Sequence, residues 1–106
     1  MPSQALFPTL VYEAPLQATG WKSFNDRLLL ECRQYREDDT AGQAWSARRY
    51  PGGYTSYGSL ARMHTISPTF ALLERKLRRH VNQFARSLEF DLEGRELTMT
   101  DCWINI

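Results

Sequence analysis

An amphipathic helix in the second half of the chain constrains the fold more than any other sequence feature. Its start is marked by Ser67 and Pro68. A serine hydroxyl can accept a hydrogen bond from a free amide of the first turn, and proline needs no amide hydrogen at the first helical position. The residues that follow predict a helix over about residues 68–89, with one apolar face that other parts of the chain must cover. That face consists of Phe70, Leu73, Leu77, Val81, Phe84 and Leu88.

A second helix is predicted nearer the amino terminus, over about residues 21–37. Its apolar side chains also recur at intervals of three and four residues, and Ser23 with Asp26 three positions later fits a first-turn capping pattern. Acidic residues at 37–39 are interpreted as the solvent-exposed end of this helix. The apolar positions are Trp21, Phe24, Leu28, Cys32 and Tyr35.

Extended segments are predicted before, between and after the helices. Residues 5–16 carry apolar and β-branched side chains between Pro8 and Pro15, which suits a strand at a sheet edge. Residues 39–59 lack periodicity and predict a structured loop, with a short strand at 54–57 after a Pro-Gly-Gly turn. Residues 96–106 alternate in polarity and predict a final strand. In it Leu97, Met99 and Trp103 face one way, and Cys102, Ile104 and Ile106 face the other.

Charge and composition narrow the classes of partner. The 106 residues carry 13 Lys and Arg against 12 Asp and Glu, a formal charge of +1, which creates no general field for nucleic acid or an anionic membrane. The basic residues of the helix predicted over 68–89 are interpreted as a solvated face, so nucleic acid is not a favoured partner. No apolar run is long enough to span a bilayer, and no secretory signal is evident. A cytoplasmic protein without a membrane partner is expected.

The sequence contains few patterns of metal-binding or catalytic side chains. The two histidines, His64 and His80, stand apart and belong to no metal-binding pattern. There is no nucleophile elbow, phosphate loop or dinucleotide fingerprint. We therefore predict no metal ligand and no catalytic residue in this chain. Cys32 and Cys102 are predicted to be buried free thiols, and a disulfide between them is the alternative.

Three segments of the sequence carry a resemblance to a known family. They are LFPTLVYEAPL at the start, the stretch from GQAW to GGYTSYGSL, and LTMTDCWINI at the end. In this order they resemble the 2-oxoglutarate- and iron(II)-dependent oxygenases of bacteria. There an LFPT-x-VY strand precedes helices, a GGY/W-x-S segment and a W-x-N-I strand, and a Gly-Gly stretch with closely spaced histidines follows. The resemblance spans essentially all 106 residues, but only the first half of the family's domain.

The resemblance implies an α+β fold. An amino-terminal strand and two helices would pack on the start of a double-stranded β-helix, or jelly roll, sheet. Residues 1–106 would be the amino-terminal part of one such domain, and the end of the last strand at Ile106 is interpreted as a truncation within that sheet. The complete domain would hold iron(II) and 2-oxoglutarate and hydroxylate a substrate. This chain would brace that site, lack its metal ligands and be inactive alone.

The same resemblance points to residues near the site. Trp103 and Asn105 match the W-x-N-I strand, where an asparagine can donate a hydrogen bond to 2-oxoglutarate, so both are candidate cofactor-binding residues. Tyr54 and Tyr57 match the GGY-x-S segment and are candidates for lining the substrate cleft. Packing within the sheet is the alternative role for all of these side chains.

A noncatalytic interaction module is the alternative function. Such a unit would associate through an open strand edge or through the basic face of the helix predicted over 68–89. The expected partner is the missing carboxyl-terminal half under the oxygenase interpretation, or a second copy of the chain through its strand edge.

Overall fold

The computed structural model describes residues 9–106, and this part of the chain is mostly helical. Helix α1 spans Trp21–Asp38 and α2 spans Thr40–Arg49. The single-turn helix α3 spans Met63–Ile66 and is followed directly by the long helix α4, Pro68–Ser87.

Helix α4 confirms the helix predicted from Ser67 and Pro68, and it ends within two residues of the expected position. The Ser67 hydroxyl accepts a hydrogen bond from the amide of Phe70 at 3.4 Å, and Pro68 lies in the first turn. The same hydroxyl donates to a carboxylate oxygen of Glu31 at 2.7 Å. One capping residue therefore begins α4 and also ties it to α1.

Helix α1 confirms the second predicted helix, but its start is formed differently. The capping pattern predicted for Ser23 and Asp26 is wrong, because Gly20 occupies the cap position with a φ of 72° and no side chain caps the first turn. The carbonyl of Gly20 accepts the amide of Phe24 at 3.1 Å. Glycine enters this left-handed conformation without steric cost, so the chain can turn sharply into the helix.

Helix α2 replaces the first half of the predicted loop over residues 39–59. Its sequence, TAGQAWSARR, has small residues where an amphipathic stripe would show large apolar ones. Its start is set by Asp39, whose carboxylate accepts the amide of Gly42 at 2.9 Å. Asp39 therefore caps the start of α2, whereas the sequence predicts that it marks a solvated end of α1.

The predicted jelly-roll sheet is wrong, because residues 9–106 contain no sheet. Extended backbone pairs only at two isolated bridges, an antiparallel one between Thr55 and Asn105 and a parallel one between Arg62 and Cys102. The strands predicted over 54–57 and 96–106 are therefore reduced to these contacts. The expected strand over 5–16 lies partly outside the described residues, and its described part, from residue 9, forms no strand.

The core lies where these bridges meet the helices. Tyr54, Met63, Phe70 and Ile104 form one buried cluster, which joins the bridged segments to α3 and α4. Side chains that pack around it are Leu28, Cys32, Tyr35, Leu60, Leu73 and Cys102.

Both cysteines are unpaired and half-buried against this core. Cys32 lies on α1, and Cys102 lies in the last bridged segment. Burial raises the pKa of both thiols, so their reactive thiolate forms are disfavoured at neutral pH. The prediction of free thiols is confirmed.

Among the helices within residues 9–106, none combines the length and apolar character needed to cross a membrane.

Candidate functional site

The last residues of the chain form a short antiparallel pairing with residues 54–56. The amide of Tyr54 donates to the carbonyl of Ile106 at 2.9 Å, and the amide of Ile106 donates to the carbonyl of Tyr54 at 2.8 Å. The amide of Ser56 also donates to the carbonyl of Ile104 at 2.9 Å.

Ser56 explains why this pairing does not continue beyond residue 56. Its carbonyl turns away and accepts the amides of Ser59 and Leu60, at 3.1 and 2.7 Å. Its hydroxyl takes the place of that carbonyl, accepting the amide of Ile104 at 2.8 Å and donating to the carbonyl of Leu60 at 2.9 Å. Because the carbonyl of Ser56 is used in this turn, the ladder of backbone hydrogen bonds does not continue. Ser56 is completely buried.

The final segment, residues 102–106, also pairs on the same side with the residues that lead into α3 and with the first residue of that helix. The amide of Cys102 donates to the carbonyl of Ala61, and the amide of Met63 donates to the carbonyl of Cys102, both at 2.8 Å. The backbone groups of Cys102, Ile104 and Ile106 therefore all point toward the body of the protein.

The backbone groups of Trp103 and Asn105 point the other way. In an extended segment the amide and carbonyl groups of successive residues alternate between its two sides. Within residues 9–106, no hydrogen bond is made to the amide or carbonyl of either residue. We call this side of the segment the open edge.

The side chains of this segment also divide between two faces. Ile104 is 4% exposed and belongs to the core, whereas Trp103 and Asn105 are exposed on the opposite face. There they line a surface depression of about 320 Å³, which we call the aromatic cleft. Its lining residues are Trp45, Arg49, Tyr50, Thr55, Tyr57, Trp103 and Asn105.

Three aromatic rings form a continuous row in the cleft. The ring centroids of Trp45 and Tyr57 are 5.8 Å apart with an interplanar angle of 62°, and those of Tyr57 and Trp103 are 5.0 Å apart at 69°. These are edge-to-face contacts, which aromatic quadrupoles favour. The Trp45 indole lies so close to Gly58 that a Cβ there would be 2.6 Å from it. A glycine at this position therefore allows the row to form.

A polar cluster centred on Asp39 holds α2 beside this cleft. One carboxylate oxygen of Asp39 accepts the Tyr54 hydroxyl at 2.7 Å and the Ser59 hydroxyl at 2.5 Å. Burial alone would raise the pKa of Asp39, but hydrogen bonds from Ser59, Tyr54 and the amide of Gly42 outweigh it and lower the pKa. Burial, followed by the hydrogen bond to Asp39, raises the pKa of Tyr54. The same hydrogen bonds that lower this pKa join α2 to Tyr54 and Ser59.

The predicted site residues are divided between the cleft and the core. Trp103, Asn105 and Tyr57 come together in the aromatic cleft. Tyr54 lies in the core, 4% exposed. Sequence reasoning missed Trp45 and Arg49, whose spacing of four residues places them on one side of a helix. Recognising α2 would have revealed that pair.

The residues that the structure describes do not fit an iron site. Both ring nitrogens of His80 are engaged, Nδ1 with the Tyr12 hydroxyl at 2.7 Å and Nε2 with the carbonyl of Leu16 at 3.1 Å. The Nδ1 atom of His64 is buried and has no hydrogen-bond partner within the described part. No three His, Cys, Asp or Glu side chains of residues 9–106 gather as metal ligands, and an oxygenase iron needs such a set.

No protein-family model matches this sequence, and no curated protein matches it. The resemblance to the oxygenase family thus depends on the three segments quoted above.

Proposed function

We propose that this chain is a bracing unit whose open edge pairs with a strand from another polypeptide segment. In this proposal it forms the amino-terminal part of a 2-oxoglutarate- and iron(II)-dependent oxygenase, and the strand comes from the carboxyl-terminal half. The observation that carries the proposal is the outward direction of the backbone groups of Trp103 and Asn105.

The open edge has the properties of a strand-addition site. Its donors and acceptors are spaced two residues apart, which is the repeat that an added strand would match. The inner side of the segment is held by the hydrogen bonds of Cys102, Ile104 and Ile106, so the edge is already extended before a partner binds. Less ordering entropy is then lost on pairing.

The resemblance supports the choice of partner. In the family, the strand similar to residues 101–106 is followed by the histidine-containing metal motif. Bound iron and 2-oxoglutarate would supply oxidative chemistry, and the ligands would belong to the carboxyl-terminal half. The role of this chain would be to hold Trp103 and Asn105 beside that half.

A noncatalytic module that pairs with a second copy of itself is the second candidate function. It uses the same open edge, and the exposed apolar side chains of Trp103 and Ile106, at 42% and 44% exposure, favour it. The basic face of α4 is less suited to a partner. Arg78 pairs with Glu74 at 2.8 Å, and Arg79 donates to the carbonyl of Leu16 at 3.1 Å.

Amide hydrogen exchange tests the open edge. In the 106-residue chain, the amides of Trp103 and Asn105 are expected to exchange rapidly, while those of Cys102, Ile104 and Ile106 are protected by their hydrogen bonds. Joining the chain to the carboxyl-terminal half should protect the first two amides. Nuclear magnetic resonance spectroscopy measures each site separately.

The variant Asn105→Pro removes an amide hydrogen that no group within residues 9–106 accepts. It should change the free energy of unfolding by less than about 1 kcal/mol and abolish pairing at the open edge. Ile104→Pro is the contrasting variant, because it removes both the amide that Ser56 accepts and a core side chain, and it should destabilise the fold strongly. Pairing that survives Asn105→Pro would reject the open edge as the contact.

Turnover separates the two candidate functions. The 106-residue chain is expected to form no succinate from 2-oxoglutarate, because its described residues do not assemble a facial triad. A chain extended through the downstream coding sequence should do so. Succinate from the short chain would contradict the bracing role. An inactive extended chain that contains the histidines would leave only the noncatalytic module.

A further inference from the structure

We propose that the aromatic cleft binds a small aromatic carboxylate. This inference is independent of strand pairing. The cleft extends from the final segment toward residues 54–57 and α2, which is the side where the backbone of that segment is already paired. The open edge lies on the other side.

Arg49 gives the cleft its charge preference. Among the described residues that line the cleft, it is the one basic or acidic side chain of the Lys, Arg, His, Asp and Glu types. Its guanidinium carbon lies 5.1 Å from the centroid of the Trp45 ring, and within residues 9–106 it makes no ion pair and no side-chain hydrogen bond. Stacking on an indole orients the guanidinium plane while its N–H groups remain available, and those groups match the two oxygens of a carboxylate.

The aromatic row gives the cleft its preference for a ring. Tyr57 is 54% exposed, Trp103 is 42% exposed and Tyr50 is 43% exposed, so much aromatic surface faces solvent within one depression. A ligand ring can make edge-to-face or offset contacts with such side chains, each favourable beyond the burial of area. The exposed side-chain amide of Asn105 adds a hydrogen-bonding group to the same cleft.

The size of the cleft suits a small molecule. Its volume of about 320 Å³ is near the lower end of the range for small-molecule sites. One six-membered ring with a short carboxylate arm fits that volume, with the ring against Tyr57 or Trp103 and the carboxylate beside Arg49.

Titration of the 106-residue chain with 3-phenylpropionate at neutral pH tests the proposal. The indole N–H resonances of Trp45 and Trp103 should shift and saturate, while Trp21, which lies at the start of α1 and outside the cleft, should not shift. Two comparison ligands separate the contributions: 3-phenylpropionamide lacks the charge, and 2-oxoglutarate lacks the ring. Both should bind more weakly than 3-phenylpropionate.

The variant Arg49→Ala should weaken binding of 3-phenylpropionate about fivefold, as expected for an ion pair near the surface. Arg48→Ala is the matched control, because Arg48 lies in the same last turn of α2 but does not line the cleft. It should bind as the unchanged chain does, and an unchanged melting temperature verifies that both variants fold.

Several outcomes would overturn the proposal. They are equal binding of the acid and its amide, equal binding of 2-oxoglutarate, equal losses in the two arginine variants, and no saturable shift at Trp45 and Trp103. These results report on side chains of the cleft, whereas exchange of the backbone amides of Trp103 and Asn105 reports on the open edge, so the two proposals fail separately.

Discussion

Replacing Met63 by Ala is expected to lower the free energy of unfolding by about 2–5 kcal/mol, the usual range when a large buried apolar side chain is truncated. Met63 is the only core residue of α3 and is 0% exposed. Its side chain fills the space among Tyr54, Phe70 and Ile104. Alanine would leave a cavity at the point where α3, α4 and the bridged segments share one core.

Urea denaturation measures this loss, and Ile66→Ala provides the control. Ile66 lies in the same short helix but is 48% exposed, so its truncation should cost less than about 1 kcal/mol. If the two variants lost equal stability, the core would not be centred on Met63. Intrinsic tryptophan fluorescence should report the same transition if the fold is cooperative.

Replacing Asp39 by Ala is expected to cost about 2–4 kcal/mol, because it removes a helix cap and leaves the buried hydroxyl of Tyr54 without its acceptor. The carboxylate also receives the Ser59 hydroxyl. Helix α2 would then lose its fixed start, and with it the positions of Trp45 and Arg49 in the aromatic cleft.

The stability lost in Asp39→Ala should depend on pH. The pKa of Asp39 is lower in the folded protein than its ordinary value, so the ionised carboxylate stabilises the fold above the unfolded pKa of about 3.9. That stabilisation is lost as the pH falls through the folded pKa. The difference between the two proteins should therefore stay constant near neutral pH and shrink below about pH 4.

Asp38→Ala is the matched control for this prediction. Asp38 neighbours Asp39 and accepts a hydrogen bond from Gln34 at 3.0 Å, but it is exposed on α1. Its removal should change the free energy of unfolding by no more than about 0.5 kcal/mol. The role of Asp39 in fixing the start of α2 would be contradicted if both substitutions lowered the free energy of unfolding equally. It would also be contradicted if the loss in Asp39→Ala did not shrink in acid.

The two long helices could be predicted because their signals are local. Helix α4 needs only Ser67, Pro68 and an apolar repeat, and α1 needs a similar repeat, so neighbouring residues contain the information. Trp103, Asn105 and Tyr57 were selected through the resemblance, and the structure brings them together. The prediction assigned cofactor binding to Trp103 and Asn105 and a place in the substrate cleft to Tyr54 and Tyr57, and these roles stay predictions. Tyr54 lies in the core instead of the cleft.

The remaining features depend on contacts between distant residues. Helix α2 has no large apolar stripe, and it is held at its start by Asp39, which in turn binds Tyr54 and Ser59. The alternating pattern over residues 96–106 is compatible with a strand, but a strand becomes a sheet only where partner backbones are available. Here the turn after Ser56 consumes the carbonyl that would continue the ladder. Helix periodicity is therefore readable from this sequence alone, whereas the extent of strand pairing and the shape of the aromatic cleft arise only when the folded chain brings its distant backbone groups together.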